Sequence, residues 1–121
     1  SPASYPGYDL IVGSTGDEVS TIQEQLNRIA RNYPLIPKVA VDGVYGITTQ
    51  EAVKVFQQVF NLPQTGIVDY ATWYRISDIY VGVSKIAELK DARKGNKRIF
   101  RPPVSRDMIN DPNVPTFEYF D

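Results

Sequence analysis

The chain has 121 residues, 42% of them apolar and 22% charged, which suits one globular domain and excludes a disordered or fibrous chain. It contains neither cysteine nor histidine, so disulfides, thiolate zinc sites, and the Ser-His-Asp and Cys-His triads are all excluded. No stretch approaches the roughly 18 consecutive apolar residues that would cross a membrane. The net charge of −1 conceals a gradient: residues 1–89 carry −3, residues 90–106 carry +6 and residues 107–121 carry −4. A basic run followed by an acidic end reads as a solvated tail, one also able to touch an anionic polymer or fold back on an acidic body. Because it starts at Ser1, the chain is expected to be a processed or excised piece of something longer.

Residues 1–13, with Pro2, Pro6, Gly7 and Gly13, read as an extended lead-in packed on the body through Leu10 and Ile11. Ser14, three residues before Asp17, resembles a capping box, and Asp17 and Glu18 complement the positive end of a helix dipole. Val19, Ile22, Leu26 and Ile29 then form one stripe at helical spacing, which ends at the Pro34 and Pro37 segment. The loop Val41-Asp42-Gly43-Val44-Tyr45-Gly46 follows, and its two glycines predict positive φ or close approach at both. Gly46 caps a predicted second helix with Ala52, Val53, Phe56 and Phe60 on one face, stopped by Asn61-Leu62-Pro63. Asp69 is the expected N-cap of a third helix carrying Trp73, Ile76, Tyr80, Val83 and Ala87 and reaching about Lys90. Its weak points are Ser77-Asp78 and Gly82, a helical glycine costing about 1 kcal/mol against alanine. Past Gly95 the prolines at 102, 103, 112 and 115 leave no period, although Ile99, Phe100, Phe117 and Phe120 offer apolar anchors.

The chain echoes itself. Gly43 to Thr49 and Gly66 to Thr72 share a pattern of glycine, two residues, a capping residue, two residues and threonine. Gly13 to Gly16 is a looser third copy. Two and a half copies are too few for a solenoid. The expected fold is all-α: a compact three-helix bundle with an internal turn-helix duplication, an extended N-terminal lead and an irregular C-terminal tail. The segments are 1–13 as lead-in, 14–90 as the helical domain and 91–121 as tail or linker.

Three runs carry a resemblance. They are Gly13-Ser14-x-Gly16-x-x-Val19-x-x-Ile22-Gln23-x-x-Leu26-Asn27, then Asp42-Gly43-x-Tyr45-Gly46-x-x-Thr49-x-x-Ala52-Val53-x-x-Phe56-Gln57, then Thr65-Gly66-x-Val68-Asp69-x-x-Thr72-Trp73. In this order and spacing the chain resembles the three-helix peptidoglycan-binding domain over about residues 5–89. Tyr5-Pro6-Gly7 and Tyr33-Pro34-x-x-Pro37 resemble the version found in cell-wall and spore-cortex hydrolases of Gram-positive spore formers. The resemblance implies a non-catalytic module that holds an attached amidase, carboxypeptidase or lytic enzyme on the wall. It implies peptidoglycan, as glycan or stem peptide, as partner, an extracellular, cell-wall or spore-wall location, and a monomer without cofactor or metal. A related fold serves as the metalloproteinase propeptide, where a cysteine blocks zinc; that mechanism cannot operate in a chain lacking cysteine.

The ligand-binding candidates are Asp42, Gly43, Tyr45, Thr49, Gln23, Asn27, Gln57 and Tyr74. Backbone N–H groups at a helix start can hold a carboxylate or amide oxygen, and stem peptides offer both. Asp42, Gly43 and Thr49 either present such a site or only build the turn. Tyr45 either lies against the ligand or is a core aromatic. Gln23, Asn27 and Gln57 either line a groove between the first two helices or satisfy loop backbone. Trp73 reads as core, while Tyr70 and Tyr74 are candidate sugar platforms. Two rival functions stay open: a protein-interaction or inhibitory domain acting on its own enzyme, and a lytic enzyme using Asp42, Glu51 or Asp69. Nucleic acid is a poor partner, because the helical part is net acidic.

Overall fold

A computed structural model describes residues 4–95 of the chain, with side chains through residue 90. The expectations for the tail, including its apolar anchors, fall almost wholly outside the described residues. The chain divides into two units, residues 1–85 and 86–121, the second described only by helical backbone up to Gly95 and by side chains up to Lys90.

Among the described residues, three helices form: α1 (Asp17–Ala30), α2 (Ile47–Val59) and α3 (Tyr70–Gly95). The expected all-α fold is therefore present. The expected stripes supply the core of the first unit: Val19, Ile22, Leu26 and Ile29 from α1, Ala52, Val53 and Phe56 from α2, and Trp73, Ile76 and Val83 from α3. Loop residues complete it, with Leu10, Ile36, Tyr45 and Val68 buried among them. Gross burial of each such large side chain is worth about 1.5–3 kcal/mol, so these loops are structural parts of the core.

The ends of the helices show where local chemistry decides. Asp69 caps α3, its Oδ1 accepting from Thr72 N–H at 2.9 Å. Asn61, at φ 61°, takes the left-handed position after α2. The α1 cap differs from expectation: it is Gly16, at φ 126°, without a side-chain cap bond. Ser14 Oγ instead accepts from Ile11 N–H at 3.0 Å and closes a turn in the lead-in. Gly46 caps α2 as expected, but at φ −103° it needs no glycine freedom, whereas Gly43 at φ 73° does. Among the described residues of the lead-in, Leu10 alone is buried; Ile11 is 48% exposed. Finally, α3 runs unbroken through Ser77-Asp78 and Gly82 and past Lys90 to Gly95. Burial of Trp73, Ile76 and Val83 along one side outweighs the propensity cost of a single glycine.

Candidate functional site

The loop before α2 is built around one buried amide. Gln23, on α1, accepts from Asp42 N–H (3.0 Å) and Gly43 N–H (2.9 Å) through Oε1. Its Nε2 lies within donating distance of Asp42 Oδ1 (3.1 Å), Val44 O (3.0 Å) and Thr49 Oγ1 (3.0 Å). Asp42 Oδ1 also accepts from Val44 N–H at 3.0 Å, a local turn closed by the side chain. These bonds, the Val44 N–H first and the Gln23 amide second, hold the Asp42 carboxyl below the ordinary carboxylate range.

The loop before α3 repeats the device. Gln57, on α2, accepts from Gly66 N–H at 2.9 Å, and its Nε2 faces Thr65 Oγ1 (3.2 Å), Ile67 O (3.1 Å) and Thr72 Oγ1 (3.1 Å). Thr65 takes the place of Asp42, accepting from Ile67 N–H at 3.1 Å. Thr49 and Thr72 are each the third residue of their helix. Each clasp thus ties one helix to the turn and first helical residues of the next. The sequence duplication is a duplication of this hydrogen-bonded unit.

Two antiparallel bridges fasten the segment before α1 to these loops, Thr15 with Val44 and, from the lead-in, Leu10 with Val68. Tyr45 links the loops to each other. Its ring is buried and its hydroxyl donates to Gly66 O at 2.7 Å, and burial raises its pKa above the ordinary phenol value. Asn27 fixes the stretch after the proline segment, pairing with both Val39 N–H and Val39 O at 2.8 Å.

The candidates from sequence therefore fall into three places. Gln23, Asn27, Gln57 and Thr49 spend their polar groups on backbone and on one another, and Gly43 supplies the positive φ that the first turn requires. Tyr45 is core. Asp42 is exposed but engaged in its turn, while Val44 and Ile47, which sequence reasoning passed over, are exposed beside it. Tyr74 lies apart from the Gln23 loop, half-buried, with its hydroxyl accepting from Tyr5 N–H at 3.2 Å. Of the carboxylates considered for catalysis, Asp42 closes a turn and Asp69 caps a helix. Among the described residues, no group of three or more His, Cys, Asp or Glu side chains is placed to hold a metal, and no helix is long and apolar enough to cross a membrane.

Helices begun by glycine turns, each turn clasped by a glutamine from the helix before, define a small duplicated turn-helix module. Residues 15–76, which contain both clasps, match the family described as "Putative peptidoglycan binding domain", and the chain belongs to that family. Among solved structures, the SleB N-terminal domain is similar, with a TM-score of 0.55 and 26% identity over 64% of this chain and 99% of that one. A Burkholderia AP3 phage endolysin matches with a TM-score of 0.49 and 31% identity over 58% of this chain, which spans only 25% of the endolysin. No curated protein sequence matched the chain.

Proposed function

We propose that the chain is a non-catalytic module that binds peptidoglycan and tethers an attached wall hydrolase to its substrate, outside the cell at the cell or spore wall. The observation that carries this reading is the family match over residues 15–76, which takes in both clasped loops and the segments between them. The likeness to the SleB N-terminal domain over nearly all of that chain supports it. The module acts by adhesion alone, and linking it to an enzyme raises that enzyme's effective concentration at the wall. In this reading Gln23, Asn27, Gln57, Gly43, Tyr45 and Thr49 serve the ligand by fixing the shape of the loops. Asp42, Val44 and Ile47 then form the exposed face of the first loop, and Tyr74 belongs to a second contact area.

Co-sedimentation of the purified chain with sacculi tests the proposal. The chain is expected in the pellet, without loss of turbidity. A chain that stays in the supernatant, yet slows hydrolysis when added to its parent enzyme, is an inhibitory domain instead; clearing of the suspension makes it a lytic enzyme. The basic run of residues 90–106 adds a second readout. If its charge assists, retention falls as salt rises from low to physiological strength.

A further inference from the structure

Away from the Gln23 loop, three tyrosines meet where the lead-in crosses the start of α3. Tyr70, the first residue of α3, is 64% exposed. Its ring is nonetheless held in place by two T-shaped contacts, with Tyr5 at 5.4 Å and 79° and with Tyr74 at 4.9 Å and 62°. Both neighbours are themselves anchored. Tyr5 packs against the buried Trp73 at 6.2 Å, and its N–H donates to Tyr74 Oη. The Tyr5 hydroxyl donates to Asp9 Oδ1 at 3.1 Å, and the charges of Asp9 and Asp69 both bear on it. Tyr5 and Asp9 lie outside the span matched by the family model.

An exposed aromatic ring immobilised by two T-shaped contacts loses little freedom when a ligand stacks on it, and its exposed surface is suited to an apolar C–H surface. Asp9, at the Tyr5 hydroxyl, and Asp69, which precedes Tyr70 in the chain, add carboxylates to the cluster, and carboxylates accept hydrogen bonds from hydroxyl groups and repel anions. That combination favours a neutral pyranose, whose ring offers C–H on its face and hydroxyls on its rim. It disfavours the carboxylates of stem peptides and the phosphates of teichoic acids. From the juxtaposition of exposed Tyr70 with Tyr5, Tyr74, Asp9 and Asp69, we propose that this cluster is a subsite for an N-acetylhexosamine ring of the glycan strand. The inference rests on the wall-binding reading and assigns the glycan, rather than the peptide, to this face.

The full chain, isotopically labelled, is titrated with chitotetraose and followed by backbone amide shifts, with sacculus sedimentation run beside it. Shifts are expected around Tyr5, Tyr70 and Tyr74. Tyr70→Ala should weaken binding about tenfold, and Tyr70→Phe, which keeps the ring, by less than about twofold. An unchanged amide spectrum elsewhere shows that Tyr70→Ala remains folded. Sedimentation of the chain without chitotetraose binding, or with equal affinity in Tyr70→Ala, overturns the subsite and leaves the wall-binding reading intact. Chitotetraose binding at the tyrosines without sedimentation does the reverse, and loss of both overturns both. A de-N-acetylated tetraose or a stem peptide that outcompetes chitotetraose at these tyrosines also overturns the assignment, in favour of a cation or peptide site.

Discussion

The Gln23 amide nitrogen lies 3.0 Å from the Thr49 hydroxyl, joining the first helix to the third residue of the second across a turn it also holds by backbone bonds. Gln57 stands in the same relation to Thr72 at 3.1 Å. The fold is therefore fastened at two equivalent points, each a buried neutral amide whose donor and acceptor are both occupied. Removing such a group leaves buried or part-buried backbone N–H groups without partners, which costs more than the average hydrogen bond contributes. Gln23→Ala should destabilise the chain by about 2–4 kcal/mol in urea unfolding. Gln57→Ala, which orphans one backbone N–H where Gln23→Ala orphans two, should cost somewhat less.

The glycines of the two turns are not equivalent to Gly46. A Cβ on Gly43 would meet Ser20 Oγ at 3.1 Å and the Gly16 carbonyl oxygen at 3.3 Å, at φ +73°. One on Gly66 would meet the flexible side chains of Gln50 and Lys54, at φ +75°. Both alanine variants are strained by at least about 1 kcal/mol, with Gly43→Ala the worse because backbone cannot yield. Gly46 has open space and extended φ, and α2 has no side-chain cap. Gly46→Asp should therefore stabilise the chain by a few tenths of a kcal/mol, reproducing the cap Asp69 gives α3. Thermal unfolding of the three variants checks the order.

Asp42 ties stability to pH. Its carboxyl is held below the ordinary value by Val44 N–H and the Gln23 amide. A carboxyl depressed on folding contributes stability that is present above its unfolded pKa and is lost as pH falls through the folded one. The melting temperature of the native chain should exceed that of Asp42→Asn at neutral pH. The gap should close as pH falls below the ordinary carboxylate range. A gap that persists in acid would show that the charge is not what the turn uses.

Two buried hydroxyls should behave oppositely. Tyr45→Phe leaves Gly66 O without its 2.7 Å donor and should cost about 1–2 kcal/mol. Ser77 Oγ is buried without a hydrogen-bond partner, so Ser77→Ala should be neutral or stabilising by up to about 1 kcal/mol. Chemical denaturation of the pair measures both.

The helices were legible because Val19, Ile22, Leu26 and Ile29, and their counterparts in α2 and α3, repeat at a helical period that burial then enforces. Caps were less so. Ser14 has the right chemistry for a cap, but its hydroxyl is engaged by Ile11 N–H, and that competition is visible only once the lead-in turns. The duplication of Gly43 to Thr49 in Gly66 to Thr72 was plain in sequence, but the clasps beneath it were not. Gln23 precedes its glycine by 20 residues and Gln57 by 9, because the proline segment intervenes in the first copy only. The two glutamines share a local pattern, Val19-x-x-Ile22-Gln23 and Val53-x-x-Phe56-Gln57, but no common spacing to the glycines they hold. The contact of Tyr5 with Tyr70 bridges the lead-in and α3, a distance along the chain over which no periodicity speaks.

The most direct test of the central claim is a binding isotherm of the purified chain on sacculi, with soluble muropeptides assayed in the same supernatants. Saturable depletion of the chain with no muropeptide release is the predicted result. Absence of depletion at any sacculus concentration, or release of muropeptides in step with binding, would contradict it.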